Sequence, residues 1–343
     1  MVAAIRRAHR QRSTRRSTFD NSTDICVLLE GHQMRLLLTG ASSFTGSWFA
    51  RELSAAGHHV VAAFRGPLDS YGGVRAARIQ ALEGVVEPIW GVEFGDDRFL
   101  DAACAQDFDI LLHHAAEMSD YRSWDFNVLD ATAKNTRSAR SLLSRLAERG
   151  CGKLILTGSV FEPYEGLGDP THRAFNPYGL SKHLSFELFR MEAERLNLSL
   201  GKFVIPNPFG PQEEMRFTSY LAREWSAGRT PVVGTPVYVR DNIHVSLLAL
   251  AYARFCETLP PGPGLTRRTP SGYVESQGAF ARRVAREIAA RTGWACGVGE
   301  ADQSDFPEPL FRTNTTLSAQ SHPEWSENDA WNALAAHYES LFG

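Results

Sequence analysis

Tyr178 and Lys182 stand four residues apart in the run Pro177-Tyr178-Gly179-Leu180-Ser181-Lys182. The run opens an amphipathic segment, and that spacing puts both side chains on one helix face, where they can point into one site. A free phenol titrates near pH 10, so ionising it at pH 7 costs about 4 kcal/mol. An ammonium one turn away, with a second positive group close by, could supply this and make Tyr178 an acid/base for a hydroxyl or ketone carbon. The same spacing also describes an exposed helical pair, and position in the chain decides against that reading. Upstream, an apolar strand ends in Thr157-Gly158-Ser159 and offers two hydroxyls to a reacting oxygen.

An earlier segment, Thr39-Gly40-Ala41-Ser42-Ser43-Phe44-Thr45-Gly46, leaves another apolar strand and enters a helix that runs to Gly57, a natural left-handed stop. Such a turn lets backbone amides and the positive helix end approach a pyrophosphate, with Gly40 relieving the steric limit and Gly46 letting helix and sheet pack closely. Ser43 occupies the place of the second glycine in a GxxGxxG pattern, so the backbone approach changes there or the hydroxyl donates to phosphate. A packing turn without a ligand is the alternative. The second strand ends in Ala63-Phe64-Arg65-Gly66, where dinucleotide folds often carry an acid for the ribose hydroxyls. An arginine there suits a 2′-phosphate and favours NADP over NAD, unless Arg65 is a solvated strand-end charge. An oxidised nicotinamide beside Tyr178 would then be the second positive group.

The elements that must position these residues alternate in βαβ rhythm from Met34 onward. Strands are predicted at 35–39, 59–64, 89–93, 109–113, 153–157 and 201–205, with helices near 44–56, 71–81, 135–148 and 178–196. That is an α/β chain with a Rossmann-type doubly wound parallel sheet over residues 34–205. Beyond Pro206 the rhythm breaks into loops, short strands and helices at 218–227, 244–258, 278–292 and 329–341. Residues 206–343 read as a smaller mixed α/β region for the substrate, with some segments returning to the first domain. Pro261-Gly262-Pro263-Gly264 reads as a turn within structured sequence.

With 43% hydrophobic and 22% charged residues, the 343-residue chain can bury a large core. Its longest apolar runs fall far short of the roughly 20 residues a membrane-spanning helix needs. Five scattered cysteines without CxxC spacing suggest a reducing cytoplasm and neither a disulfide framework nor zinc. A net charge of −3 gives no overall bias toward nucleic acid or membrane. One stretch departs from this balance: Arg6, Arg7, Arg10, Arg12, Arg15 and Arg16 precede any acidic residue. The segment 1–33 is read as a disordered basic extension, or as lying ahead of a natural start at Met34, with a targeting or nucleic-acid arm as the alternative.

Several stretches together resemble the extended short-chain dehydrogenase/reductase family, the NAD-dependent epimerase/dehydratase group typified by UDP-galactose 4-epimerase. They are the glycine turn, Asp109-Ile110-Leu111-Leu112-His113-His114-Ala115-Ala116, Asn135 seven residues before Leu142-Leu143, and the YGxSK run, followed by Asn207-Pro208-Phe209-Gly210 and Val239-Arg240-Asp241-Asn242-Ile243-His244-Val245. The resemblance covers about Met34 to Gly343. It implies dinucleotide contacts from the glycine turn and from His114, Ala115, Ala116, Asn135 and Pro206, and a homodimer formed through the helices that include the YxxxK segment. It also implies that Asn207 and Arg240 donate to the diphosphate of a nucleotide sugar. Arg216 and Arg312 are further phosphate candidates, with solvated surface charges as the alternative, while no RxGD-like element lies near 306–312. His113 and His114 read as packing residues and no metal is expected, since no third ligand has suitable spacing. Asn135 orders a water or loop, or caps its own helix.

The resemblance also bears on the reaction. Family dehydratases carry an acid just after the active-site threonine, whereas Gly158 and Ser159 provide none, so dehydration is disfavoured. Strand register favours Ser159 as the catalytic hydroxyl, and counting back from Val160-Phe161 favours Thr157. An epimerase or a keto-sugar reductase remains, with a non-catalytic dinucleotide sensor as the reading from another class.

Overall fold

The computed structural model describes residues 33–168 and 171–343, and the arginine-rich segment read as an extension lies outside them. From the first described residues the chain alternates β1 (Arg35–Thr39), α1 (Phe44–Ala55), β2 (His59–Phe64), α2 (Gly73–Gln80), β3 (Glu87–Trp90), α3 (Asp97–Cys104) and β4 (Ile110–His113). Two helices, α4 (Val128–Asn135) and α5 (Ala139–Glu148), lead to β5 (Lys153–Ser159), α6 (Pro177–Arg195) and β6 (Ser199–Ile205). After β7 (Asn207–Phe209) come α7 (Phe217–Ser226), β8 (Val232–Val233), β9 (Val239–His244), α8 (Val245–Thr258) and β10 (Gly264–Arg268). The remainder is β11 (Pro270–Ser271), β12 (Tyr273–Ser276), α9 (Gln277–Thr292), β13 (Gly299–Glu300), β14 (Phe311–Arg312), β15 (Thr316–Leu317), α10 (Ser318–Ser321) and α11 (Glu327–Phe342).

Seven parallel strands form one sheet in the order β3-β2-β1-β4-β5-β6-β10. Its central strands are buried on both faces, which is why β1 and β4 read as unbroken apolar runs. On one face Leu36, Leu38, Ile155 and Phe203 pack with Phe49 of α1 and Tyr252 and Phe255 of α8. On the other, Leu37, Leu111, Leu154 and Leu156 pack with side chains of α3, α5 and α6. The strand order reverses between β1 and β4, and their carboxyl ends open the crevice where such folds take ligands. A separate core joins Phe209, Trp225, Phe280, Trp331 and Tyr338 from β7, α7, α9 and α11. Beside it β12, β9 and β14 form a small sheet, with β7 paired to β9.

Several elements differ from the sequence expectation. The helix predicted at 135–148 begins only at Ala139 as α5, because Asn135 ends the preceding helix α4 and Ser138 turns left-handed (φ 55°). The third strand lies at Glu87–Trp90, two residues earlier than expected, paired in register to Val61–Phe64. A seventh strand, β10, follows the Pro-Gly turn, and its mostly exposed run Gly-Leu-Thr-Arg-Arg carries no apolar signal. Together α8 and β10 complete the first layer from sequence positions beyond 206.

Candidate active site

The glycine turn forms a cradle at the switch point. Gly40 has φ +81°, and a Cβ there would stand 2.8 Å from the Ala115 nitrogen. A Cβ on Gly46 would run into the Gly40 carbonyl. Both positions therefore hold backbone close to backbone, which leaves the α1 terminus open to an anion. Ser43 caps that helix, its Oγ accepting the Gly46 N–H at 3.1 Å. The same Oγ lies 3.1 Å from His114 Nε2, and Thr45 Oγ1 lies 3.0 Å from that nitrogen. His114 Nδ1 in turn reaches Thr157 Oγ1 at 3.0 Å. The residue in the second-glycine position thus ties the turn to the ends of β4 and β5.

His113 contacts Thr39 Oγ1 at 3.0 Å and the Asn135 carbonyl at 3.1 Å. Burial draws both imidazoles down to about 3, with the Lys182 ammonium adding to the effect, so both are neutral. Asn135 Oδ1 accepts the Glu117 N–H at 2.7 Å, and its Nδ2 donates to Ser185 Oγ on α6 at 3.3 Å. Its side chain bridges the loop after β4 to α6. Ala115 N donates to Thr39 Oγ1 at 3.1 Å, which fixes the start of that loop.

Asn176 caps α6 by accepting the Gly179 N–H at 2.9 Å, and Pro177 fits the first turn, where no amide partner is needed. A Cβ on Gly179 would strike the Phe161 carbonyl, so the start of α6 rests directly on the loop after β5. Tyr178 is buried edge-on to Tyr121, Phe126 and Phe161, with ring centroids 5.6, 6.0 and 6.3 Å away. Burial pushes its phenol above the ordinary value, the Glu162 carboxylate and Tyr121 add to this, and Arg216 opposes it. In this state Tyr178 is a neutral phenol, a proton donor. Burial lowers Lys182 to about 8, Glu162 holds it up and Lys202 presses it down.

Lys182 borders a cavity of about 20 Å³, room for one water, shared with Asn135, Gly158, Glu162, Ser185 and Lys202. Thr157 is buried and engaged with His114, whereas Ser159 is half-buried and its Oγ accepts the Phe161 N–H at 3.2 Å. Sequence reasoning found no carboxylate at Gly158-Ser159. Glu162 nonetheless folds back to accept the Ser159 N–H at 2.8 Å, but it is buried and paired to Lys202 at 2.6 Å.

The segment 210–216 straps this region to the glycine turn. Trp48 Nε1 donates to the Pro211 carbonyl at 3.2 Å, and the fully buried Arg78 donates to the Gln212 carbonyl and to Glu214 at 2.6 Å. Arg78 also lies over the Phe44 ring at 5.7 Å. Its role went unread because a lone arginine on an amphipathic helix looks like a surface charge. Arg216, at the end of the strap, pairs loosely with Glu214 at 3.6 Å and acts electrostatically on Tyr178.

Other candidates stand farther apart. Pro206 is buried between β6 and β7, and Asn207 Nδ2 donates to the Asp241 carbonyl at 3.2 Å. Arg240 is buried, bound to Glu308 at 2.7 Å and to the Val239 and Pro309 carbonyls, so a phosphate there would share the guanidinium. Arg312 stacks on Phe175 at 3.4 Å. Arg65 is exposed at the end of β2, where the carboxylate of Glu117 lies within its field.

Comparison with known proteins identifies the family and the fold. The model of the NAD dependent epimerase/dehydratase family matches residues 36–263. A UDP-glucose 4-epimerase of Mycolicibacterium smegmatis is 27% identical over 293 residues, which is 80% of this chain and 86% of that protein. The UDP-glucose 4-epimerase of Thermotoga maritima, solved with UDP-glucose, superposes with a TM-score of 0.69 at 15% identity, covering 90% of this chain and 100% of that one. The Thermus thermophilus UDP-glucose 4-epimerase, solved with NAD, gives 0.64 at 20% identity, covering 89% and 99%. Among the described residues no helix is long and apolar enough to cross a membrane. With the family match spanning most of the sheet, the glycine turn and the Tyr178 helix, the chain belongs to the NAD dependent epimerase/dehydratase family.

Proposed function

We propose that this protein is a nucleotide-sugar epimerase that oxidises a hydroxyl-bearing sugar carbon and returns hydride to its opposite face. The observation that carries this reading is Tyr178 and Lys182 one turn apart on α6, with Lys182 in a cavity that Thr157 and Gly158 at the end of β5 also line, and the glycine cradle open between β1 and β4. Bound there, a nicotinamide dinucleotide would supply the hydride acceptor and donor. Gly40, Ser42, Ser43, Phe44, Thr45 and Gly46 would hold its pyrophosphate, with Ala115, Ala116 and Asn135 along its flank. Arg65 alone would suit a 2′-phosphate, but Glu117 beside it repels one, which favours NAD.

Tyr178 exchanges the proton of the reacting hydroxyl. Lys182, titrating near neutrality, stabilises the phenolate form from one turn away. Ser159 is favoured over Thr157 as the donor to the substrate oxygen, because the Thr157 hydroxyl is already committed to His114. Arg216 faces the Tyr178 side and is suited to a substrate phosphate, with Asn207 and Arg240 behind it. Dehydration stays disfavoured, since the Glu162 carboxylate beside Ser159 is buried in an ion pair. Exposed Leu180, Leu188 and Met191 on α6, with Leu129 on α4, support a homodimer built on these helices.

Mass spectrometry of the small molecules released from the purified protein tests the reading, together with incubation of nucleotide sugars without added dinucleotide. Retained NAD and conversion of a sugar to its epimer are expected. Consumption of added NADPH by a keto sugar would make it a reductase. Dinucleotide binding without turnover of either kind would make it a sensor.

A further inference from the structure

Of the 36 lysines and arginines, only Lys134, Lys153, Lys182 and Lys202 are lysines. Two of these four line one cavity. Arginine stays charged in proteins, whereas lysine can lose its proton, so the choice at both positions is informative. Lys202 lies in the middle of β6 with its side chain 1% exposed, its Nζ 2.6 Å from Glu162 and 2.8 Å from Glu165, whose side chains are 0% and 3% exposed. The Phe186 ring covers the ammonium at 4.0 Å. Gly158 makes room for the pair, since a Cβ there would stand 2.9 Å from both Glu162 Oε1 and Lys202 Cε. A buried ion pair is weak evidence of stabilisation, because apolar residues of similar volume often do as well. Its position behind Lys182 calls for another reason.

We propose that Glu162, held in place by Lys202 and the Ser159 N–H, is a positioning residue that sets the charge of Lys182 from behind. Lys182 lies among His113 of β4 and His114 just after it, Glu162 in the loop after β5, and Lys202 of β6, with Tyr178 one turn before it on α6. Both imidazoles are neutral and the phenol is protonated, so Glu162 and Lys202 are the charges that act on it. They act with opposite sign, the carboxylate favouring the ammonium and the second ammonium opposing it, with the carboxylate the stronger. The rest of the cluster, Asn135, Thr157 and Ser185, is uncharged. This inference rests on Lys182 being the active-site ammonium, but its test reads Lys182 itself.

With lysine labelled at 13Cε, the chain gives four side-chain resonances, and Lys134→Arg and Lys153→Arg identify the two outer ones. The titration of Lys182 is then followed in the full chain and in Glu162→Gln and Lys202→Met. The midpoint should fall by about one pH unit in Glu162→Gln and rise in Lys202→Met. Should either variant fail to fold, Glu162→Gln/Lys202→Met removes both charges together, and its midpoint should fall because the carboxylate dominates. Shifts in the same direction in the two single variants, no shift in either, or a rise in the double variant would overturn the proposal. Failure of the epimerase reading would leave these shifts in place and show only as absent turnover.

Discussion

Glu213 lies in the strap between the glycine turn and α11, and its carboxyl is buried. Its Oε1 accepts from Thr218 Oγ1, from the Ser219 N–H at 3.0 Å and from Tyr338 Oη at 2.9 Å, while Oε2 has no partner. Burial raises this carboxyl from 4.5 to about 7, against the hydrogen bonds and Arg216, which pull it down. The folded protein therefore holds this proton more tightly than the unfolded chain. The group's favourable contribution is complete below the unfolded value and is lost as pH rises through 4.5 toward 7. The difference between those two values corresponds to about 3 kcal/mol of lost stability above neutrality. Urea unfolding of the natural chain and of Glu213→Gln, each at about pH 5 and about pH 8, measures it. Glutamine does not titrate, so the stability of the variant relative to the natural chain should grow by about 2–3 kcal/mol between the two pH values. A difference that stays constant across this range would refute the argument, because it would mean that Glu213 keeps its charge in the folded state.

Tyr178→Phe removes the exchangeable proton but keeps the ring packing. It should lower turnover by about two orders of magnitude or more while dinucleotide binding, followed by titration calorimetry, is retained. Gly46→Ala forces a methyl into the Gly40 carbonyl and should weaken dinucleotide binding by at least about tenfold, read by the same titration. Arg65→Ala should leave KM for NADH nearly unchanged, and a natural chain with a clear preference for NADPH would show that Arg65 reads a 2′-phosphate in spite of Glu117. Leu188→Glu with Met191→Glu places charge on the exposed face of α6, and sedimentation should show a dimer converted to a monomer with the fold intact by circular dichroism.

The fold was legible wherever both faces of an element are buried. Continuous apolar runs located β1 and β2 to the residue, whereas β5 extends through Thr157-Gly158-Ser159, two residues beyond the expected end. Elements with weak burial escaped notice. The outer strand β10 is mostly exposed, and α3 is only eight residues long. Within the site, the placement of residues on one element was readable from spacing, as with Tyr178 and Lys182 four residues apart on α6. Those arising from long-range closure were not. Arg78 meets Gln212 across 134 residues, and Lys202 meets Glu162 across 40.

Strand alternation explains the most consequential omission. Side chains at Thr157 and Ser159 share one face of β5, whereas a Cβ at position 158 would point the other way, into Glu162 and Lys202. A reader looking for an acid immediately after Thr157 sees only glycine and concludes that no carboxylate is present. Glycine there is what allows a carboxylate to arrive from three residues farther along. The acid is thereby moved from the face that could protonate a leaving group to the face behind the ammonium. On the reading proposed above, the same glycine that argues against dehydration also makes space for the Glu162–Lys202 pair beside Lys182, so one small residue would bear on both the choice of reaction and the charge of its ammonium.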